Sequence, residues 1–376
     1  GFSNKTRQKK NPQVFDLRQF VKMPRMLAGD GLPSHLSFLW LLQEQGCNRD
    51  CVIRAESMTG SSRLVNKKIA VMFPGQGSQF VGMADDLLAC SALARERMAH
   101  ADSVLGYPLS KIMSGASEGE LGRTVYTQPA IFVHSMMLWD ILNAAIELTP
   151  IVGAGHSLGE YSALCAAGVI GFDDALRCIN VRAQAMDSAQ PQGAFGMMAV
   201  VGLARERVVE ILGSINTASP ISIANINSPD QIVLSGSLEA LDIAVAAFSG
   251  EKRTRCVMLP VSSAFHTEHM ATAKDTLFRF IQEIDLKPQR FPVISNATAL
   301  EFPQETLAIK KLLSDQVTHT VLWHESVLTM QKAQADCFVE IGPGKVLTGL
   351  MKRINRNVEC YNISCMSDIQ FSSGVS

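Results

Sequence analysis

The sequence predicts a mixed α/β protein, with a large body built on parallel strands and a smaller β-rich segment inserted into it. Two observations support this fold class. Short apolar runs at 68–73, 150–154 and 337–341 alternate with helical stretches, as the buried strands of a parallel sheet do. Between residues 194 and 262 the predicted order of elements changes to βαββαβ, which is typical of a compact ferredoxin-like lobe.

The bulk composition is that of a globular chain and argues against several classes of partner. Of the 376 residues, 47% are hydrophobic and 18% are charged, and the formal net charge is −1. This balance provides no broad positive field for nucleic acid or an anionic membrane. The nine cysteines are scattered without a Cys-x-x-Cys pair, so we expect free thiols in a reducing compartment and no metal site. The unbroken apolar runs are too short for a membrane span.

Residues 1–64 differ from the rest of the chain. The first 25 residues contain seven lysines and arginines against one acid, Asp16. Basic, acid-poor leaders are typical of organelle transit peptides, so we expect a mitochondrial matrix or plastid stroma. The alternative is an ordinary basic tail on a cytoplasmic protein. At the other end of the chain, the polar segment 366–376 is predicted to be a flexible tail.

The central motif is Gly-His-Ser-Leu-Gly at 155–159. An apolar run precedes it and a helix-compatible run follows, so Ser157 lies at a strand-to-helix turn, as in a nucleophile elbow. Glycine is needed on both sides because such a turn leaves no room for side chains. The hydroxyl of Ser157 would then lie near the positive end of a helix, where an oxyanion is stabilised. The alternative is a simple tight turn.

A second glycine-containing loop follows the first predicted strand. Gln76 lies between Gly75 and Gly77, and glycines in a post-strand loop let backbone N–H groups approach a ligand closely. The spacing does not match a dinucleotide-binding fingerprint. This loop is therefore a candidate part of the same site as Ser157.

Arg182 is out of place on the predicted helix 172–189. At 100° per residue it falls inside the apolar arc formed by Ala175, Ile179 and Met186. A buried arginine is costly without an anionic partner, so Arg182 is a candidate fork for a substrate carboxylate. The alternative is an arginine that reaches the surface along the helix.

His266 is the candidate base. It stands at a strand-to-helix junction where the chain returns from the inserted lobe, before a predicted helix at 270–281. A single histidine is compatible with a purely structural role, and the residues alone leave both interpretations open.

Together these residues resemble the malonyl-CoA:acyl-carrier-protein transacylase family over about residues 66–364. The motifs that carry the resemblance occur in a specific order and spacing: Phe73-Pro74-Gly75-Gln76-Gly77-Ser78-Gln79, Thr127-Gln128-Pro129-Ala130, Gly155-His156-Ser157-Leu158-Gly159-Glu160-Tyr161, Arg182, Ala264-Phe265-His266, Gln316-Val317 and Glu340-Ile341-Gly342-Pro343-Gly344-Lys345-Val346-Leu347. The resemblance implies an α/β-hydrolase-like large domain at 65–193 and 263–365. It also implies an inserted ferredoxin-like subdomain at 194–262.

The resemblance also implies a mechanism and assigns residues to it. Ser157 would be the nucleophile and His266 the general base, with the backbone carbonyl of Gln316 orienting the histidine. The N–H groups of Gln76 and Leu158 would form the oxyanion hole. Arg182 would bind the malonyl carboxylate, and Gln128 and Asn225 are further substrate-binding candidates. His156 and Glu160 would be structural supports of the elbow.

The implied activity is transfer of a malonyl group from malonyl-CoA to acyl carrier protein through a malonyl-serine, for fatty-acid synthesis. No metal or redox cofactor is expected, and we expect a monomer. Two alternatives remain. A trans-acting polyketide acyltransferase would share the mechanism, whereas a serine hydrolase or thioesterase would need an Asp or Glu as third triad member. A non-catalytic carrier-binding subunit is disfavoured by the intact set of Ser157, His266 and Arg182.

Overall fold

The computed structural model describes residue 64 and residues 67–116, 119–146, 148–191, 193–261 and 263–373. Apart from Leu64, the predicted leader lies outside these residues. The strands are β1 (Ile69–Phe73), β2 (Pro150–Gly155), β3 (Phe195–Val201), β4 (Ser222–Ser228), β5 (Gln231–Ser237), β6 (Arg255–Met258), β7 (Val293–Ile294), β8 (Cys337–Ile341) and β9 (Glu359–Ile363).

Helices alternate with most of these strands. They are α1 (Asp85–Cys90), α2 (Ala92–Leu105), α3 (Leu109–Met113), α4 (Thr124–Ile146), α5 (Gly159–Ala166), α6 (Phe172–Ser188), α7 (Arg205–Ser214), α8 (Leu238–Phe248), α9 (Ala271–Ile281), α10 (Thr306–Asp315), α11 (Trp323–Lys332), α12 (Val346–Ile354) and α13 (Met366–Ser373). Short 3₁₀ turns cover Glu120–Gly122, Glu268–Met270 and Gln316–Thr318.

The large body is organised around a parallel sheet with strand order β7-β2-β1-β8-β9. β1 is buried along its whole length, which explains its unbroken apolar sequence, since both faces of the sheet are covered by helices. β2 begins at Pro150. Because proline has no N–H, its place at the start of the strand avoids the loss of a hydrogen bond in the middle of the sheet. The carboxyl ends of β1 and β2 lie side by side, because Phe73 pairs with Gly155. The loops that follow these two strands therefore meet at one edge.

A separate antiparallel sheet has strand order β4-β5-β3-β6. Along the chain its elements run β3-α7-β4-β5-α8-β6, in the order that the sequence predicts. The sheet packs its own helices through a cluster that includes Met198, Val208 and Leu241. The molecule is thus a mixed α/β protein with one parallel and one antiparallel sheet.

The antiparallel sheet is joined to the large body at a seam along β4. The backbone N–H of Val321 donates to the carbonyl of Ala224 at 2.8 Å, and the N–H of Ile226 donates to the carbonyl of Val321 at 2.9 Å. Near the same place, His156 Nε2 lies 2.8 Å from Asn227 Oδ1. β4 is therefore held against the large body by both backbone and side-chain bonds.

Helix α4 differs from the sequence expectation. Pro129 in the sequence Thr127-Gln128-Pro129 predicts a helix from 130 onward, but α4 begins at Thr124 and contains Pro129, because residues on both sides of the proline are buried. Its 23 residues make it long and apolar enough to cross a membrane by length and composition, which the length of unbroken apolar runs did not reveal. However, 72% of its most apolar window is buried inside the protein, as in a core helix.

The prediction of a flexible tail at 366–376 is wrong for its first eight residues, which form α13. Met366 and Ile369 are buried in the main core, with 4% and 0% exposure. The carboxylate of Asp368 accepts from the N–H of Ser364 at 2.8 Å and so caps the start of the helix. Two core contacts and a cap stabilise a segment whose composition is mostly polar.

Candidate active site

The loop between β2 and α5 places Ser157 at the tip of a sharp turn. Ser157 has φ +51°, in the left-handed region that costs a non-glycine residue energy. A Cβ on Gly155 would lie 1.8 Å from the carbonyl oxygen of Gly159, and one on Gly159 would lie 2.2 Å from that of Phe73. Only glycine fits at either position, so the backbone of the predicted elbow is enforced by packing.

Asn296 holds this turn from the side of β7. Its Oδ1 accepts from the N–H of Ser157 at 2.7 Å, and its Nδ2 donates to the carbonyl of Gly155 at 2.7 Å. The two bonds fix the backbone on both sides of His156. Sequence reasoning missed this role, because one asparagine at the end of a predicted strand carries no signal of a contact 139 residues away.

His266 lies next to the serine. Its Nε2 is 2.9 Å from Ser157 Oγ, and its Nδ1 is 2.9 Å from the carbonyl oxygen of Gln316. Because a carbonyl can only accept, Nδ1 carries the proton and donates it. Nε2 is then the unprotonated nitrogen and can accept the proton of the serine hydroxyl.

The surroundings of His266 keep the imidazole neutral. Burial, and after it the positive charge of Arg182, lower its pKa to about 3, whereas the bond to Gln316 acts in the opposite direction. An ordinary histidine titrates near 6.5. His266 is therefore an unprotonated base throughout the neutral pH range.

Arg182 is the third group at this point. It is only 1% exposed, and its Nη2 donates to Ser157 Oγ at 2.9 Å. Its other hydrogen-bond partners among the described residues are Gln128 Oε1, 2.6 Å from Nη1, and Gln316 Oε1, 2.8 Å from Nη2. All three partners are uncharged, and burial lowers the pKa of the guanidinium. The direct hydrogen-bond partners of this buried cation thus carry no negative charge, which favours an anionic ligand at the free side of the guanidinium.

These groups border one cavity of about 210 Å³. Of the residues predicted for the site, all but one line it: Ser157, His266, Arg182, Gln76, Leu158, Gln128 and Asn225. Gln316 is fully buried behind Ser157, His266 and Arg182 and reaches them by hydrogen bonds. The structure thus brings seven of the eight predicted site residues to one cavity and places the eighth directly behind it.

The two backbone groups proposed for an oxyanion hole come from adjacent strand ends. Gln76 follows β1, and its side-chain Nε2 donates to Thr124 Oγ1 at 3.2 Å. A Cβ on Gly75 would lie 2.4 Å from the carbonyl oxygen of His156, so a glycine is required where this loop passes the elbow. Leu158 directly precedes α5 and is fully buried.

The opposite wall of the cavity comes largely from the antiparallel sheet. Met197 and Ala199 of β3 and Val233 of β5 supply apolar surface, and Asn225 of β4 supplies an amide. Leu259 and Phe265, which flank the return of the chain, complete the apolar part. The cavity therefore has one side that carries the reactive groups and one side that combines apolar side chains with amides.

A larger cavity of about 910 Å³ lies at the other end of the parallel sheet, where Pro150 starts β2. It contains none of the predicted site residues. Ligand sites in parallel sheets form at the carboxyl ends of strands, where Ser157 stands. The smaller cavity is therefore the candidate active site.

Comparisons with known proteins agree with this geometry. The family model of the acyl transferase domain matches residues 71–365. The chain is 38% identical over 304 residues to a malonyl CoA-acyl carrier protein transacylase of Staphylococcus aureus, covering 81% of this chain and 97% of the relative. It is 35% identical over 306 residues to the protein of that name from Bacillus subtilis, covering 81% and 96%.

Solved structures are also similar. An acyl carrier protein S-malonyltransferase from Vibrio cholerae has a TM-score of 0.76 at 36% identity, over 80% of this chain and 98% of that chain. A malonyl-transacylase in complex with its type II PKS acyl-carrier protein has a TM-score of 0.79 at 34% identity, over 82% and 100%.

Proposed function

Because the chain belongs to the acyl transferase family that includes the malonyl-CoA–acyl carrier protein transacylases, we propose that it transfers malonyl groups from malonyl-CoA to acyl carrier protein. This activity supplies fatty-acid synthesis. The observation that carries the proposal is that Arg182 and His266 both contact the oxygen of Ser157 in one cavity. A nucleophile, a neutral base and a cation for a carboxylate are the groups that malonyl transfer needs.

In the first half-reaction, Ser157 Oγ attacks the thioester carbonyl carbon of malonyl-CoA while His266 Nε2 takes the hydroxyl proton. The tetrahedral intermediate carries its negative charge on the former carbonyl oxygen. The carbon–sulfur bond then breaks, and His266 returns the proton to the sulfur, releasing CoA as a thiol. The product on the enzyme is a malonyl ester of Ser157.

The N–H groups of Gln76 and Leu158 are proposed to hold the oxyanion. The tight contact between Gly75 and His156 sets the distance between the two loops, and both residues line the cavity. Backbone donors of this kind cost no reorganisation during the reaction, which makes them effective in a buried site.

Arg182 is proposed to bind the free carboxylate of the malonyl group. In the free protein, Nη2 of Arg182 donates a hydrogen bond to Ser157 Oγ, which is an uncharged acceptor. When Ser157 carries a malonyl group, the malonyl carboxylate replaces the hydroxyl as a charged acceptor nearby. A desolvated contact of this kind supplies on the order of 2–5 kcal/mol of discrimination against acetyl-CoA. Gln128 orients the guanidinium, and Asn225 offers an amide to the rest of the acyl-CoA.

In the second half-reaction, the phosphopantetheine thiol of the carrier protein gives its proton to His266 Nε2 and attacks the ester carbonyl. Ser157 leaves and regains the proton from His266. The carbonyl of Gln316 holds the same imidazole tautomer through both halves, although it stabilises an imidazolium less than a carboxylate would. This carbonyl, in the place of the Asp or Glu of a serine hydrolase, is one reason to prefer transfer to hydrolysis.

Intact-mass measurement tests the proposal. After brief incubation with malonyl-CoA the protein should gain one malonyl group, and addition of holo acyl carrier protein should move that group to the carrier. A serine hydrolase would lose the adduct to water at the same rate with and without the carrier. A carrier from a polyketide assembly line should be tested in parallel, since one similar structure contains such a carrier.

We further propose finer descriptions of the architecture. The order β4-β5-β3-β6 and the βαββαβ sequence support a ferredoxin-like subdomain at 194–262. The strand, sharp serine turn and helix support an α/β-hydrolase-like large domain at 65–193 and 263–365. We also propose that the chain is a monomer. Light scattering during gel filtration tests this last point.

We also propose that residues 1–64 direct the chain to an organelle matrix or stroma, with the cytoplasm as the alternative. The proposal is supported by the seven basic residues among the first 25. A fluorescent protein fused to residues 1–64 should accumulate in mitochondria or plastids, and a diffuse cytoplasmic signal would contradict the proposal. Removal of residues 1–63 should leave malonyl transfer near the full-length value.

A further inference from the structure

Glu160 is a buried carboxylate that the proposed mechanism does not use. It lies in the first turn of α5 and is 0% exposed. Its Oε1 accepts from the backbone N–H of Asn296, and its Oε2 accepts from Gln316 Nε2 at 2.5 Å. Burial raises its pKa, whereas these donors and Arg182 act in the opposite direction. Burying a carboxylate costs free energy, so the hydrogen bonds that Glu160 makes indicate its role.

The bond to Glu160 fixes which way the side-chain amide of Gln316 points. Gln316 Nε2 faces two acceptors, the carboxylate of Glu160 and the carbonyl of Ser157, the latter at 2.8 Å. The carbonyl of Ser157 has no proton to donate, and both oxygens of Glu160 already accept from N–H groups. The nitrogen of Gln316 must therefore face them, and the oxygen of the same amide must face the other way.

The oxygen so directed is the one that holds Arg182. Gln316 Oε1 accepts from Arg182 Nη2 at 2.8 Å, and Gln128 Oε1 accepts from Nη1 at 2.6 Å. The guanidinium is held between two amide oxygens and aimed at Ser157 Oγ. If the amide of Gln316 turned over, its NH₂ group would face the donors of Arg182 and repel them.

We propose that Glu160 is a positioning residue for donor selectivity, which acts through the side chain of Gln316 to hold Arg182 where it can receive a malonyl carboxylate. This inference rests on the proposed function and deepens it. Direct pairing of Glu160 with Arg182 would occupy the fork and neutralise it. The side-chain amide of Gln316 lies between Glu160 and Arg182 and transmits the orientation from one to the other. It also keeps the carboxyl group of Glu160 away from the position that the substrate carboxylate must take.

The variant Glu160→Gln tests this inference. A glutamine has one acceptor where the carboxylate has two, so it cannot satisfy both Asn296 N–H and Gln316 Nε2. We expect the ratio of kcat/KM for malonyl-CoA to that for acetyl-CoA to fall roughly tenfold or more. Inactivation of Ser157 by phenylmethanesulfonyl fluoride, a neutral reagent, should change by less than about threefold, because it needs no carboxylate site.

A second variant and a matched control keep the test decisive. Gln316→Leu removes the amide but leaves the backbone carbonyl that orients His266, so it should lower the same ratio. The double variant should show little further loss, because both changes break one chain of contacts. Glu340→Gln is the control, since Glu340 is equally buried and its carboxylate accepts instead from the N–H groups of Leu347 and Thr348 at 3.0 and 2.8 Å.

Each outcome has one meaning. An unchanged ratio in Glu160→Gln, or a parallel loss with both acyl donors and with the sulfonyl fluoride, overturns the inference. So does a tenfold loss of the ratio in the Glu340 control. If Glu160→Gln does not fold, an unchanged ratio in Gln316→Leu overturns it equally. If the wild-type chain forms no malonyl-Ser157 at all, the proposed function itself has failed.

Discussion

The two sheets share one cavity but contribute different chemistry to it. The parallel-sheet body supplies Ser157, which is partly exposed, and the buried Arg182 and His266, which both lie within hydrogen-bond distance of the Ser157 oxygen. The antiparallel sheet lines the cavity with the apolar side chains of Met197, Ala199 and Val233 and with three side-chain amides. The parallel-sheet body therefore carries the reactive groups, whereas the antiparallel sheet determines the shape of the rest of the cavity.

Backbone strain is divided in the same way. The two site residues with left-handed backbones, Ser157 at φ +51° and His266 at φ +59°, are the proposed nucleophile and the proposed base. The lining residues of β3 and β5 lie instead in regular antiparallel ladders. Strained positions persist where surrounding contacts determine them, as Asn296 and Gln316 do here. We therefore expect mutations of the reactive residues and mutations of the lining residues to differ in which acyl donors they affect, as well as in the size of the activity loss.

The largest expected effect is that of Ser157→Ala. No other group at the cavity can replace the attacking oxygen, so malonyl transfer should fall by at least about 10⁴-fold. The measurement is transfer of labelled malonyl to the carrier protein, together with intact mass. Ser162→Ala is the matched control, since this buried serine on α5 has no hydrogen-bond partner for its Oγ among the described residues. A malonyl adduct on the Ser157→Ala protein would contradict the assignment.

Arg182→Ala should separate two acyl donors. Because only malonyl carries a free carboxylate, its kcat/KM should fall about 30- to 5000-fold, while acetyl transfer is maintained or rises. Arg97→Ala provides a control at the distant cavity, where Arg97 pairs with Asp140 at 2.6 Å. Equal losses with malonyl-CoA and acetyl-CoA would show that Arg182 does not select the carboxylate.

The pH dependence tests the environment of His266. The base is active when neutral, and its lowered pKa of about 3 means that it stays neutral as pH falls through 6.5. The rate of acylation by malonyl-CoA should therefore be nearly constant from about pH 7 to pH 5. An ordinary histidine would lose about 30-fold over the same range. Stopped-flow release of CoA measures the rate, and a fall centred near pH 6.5 would refute the expectation.

The smallest effect is expected on the opposite wall. Met197→Ala widens the cavity without touching the reactive groups, so kcat/KM should fall only a few-fold, and by similar factors for malonyl-CoA and acetyl-CoA. Steady-state kinetics with both donors measure this. A selective loss of malonyl transfer would mean that the antiparallel sheet takes part in carboxylate recognition, and the contrast between the two sides would fail.

Much of the reactive side could be predicted from the sequence, because its signals are local. The two glycines around Ser157 can each be recognised within a few residues of it, and Arg182 can be recognised within its own helix. The structure brings Ser157 and Arg182 to one cavity. The order of elements in the antiparallel sheet was equally readable. These features depend on backbone sterics and helical periodicity, which can be recognised in short stretches of consecutive residues.

What could not be predicted depends on contacts between distant segments. Glu160 looked like a support of the elbow, and its link through Gln316 to Arg182 joins residues 156 positions apart in sequence. The early start of α4 and the helix at 366–373 were missed for the same reason, since burial against other elements overrides a proline or a polar composition.

The seam along β4 has a consequence for engineering. Asn227 touches the residue next to the nucleophile, and Val321 pairs with the same strand a few residues away. A hybrid enzyme whose antiparallel lobe comes from a relative with another acyl preference must therefore keep residues on β4 that match the large body, including the contacts with His156 and Val321. A junction that ignored these contacts would disturb the catalytic turn even though no catalytic residue had been exchanged.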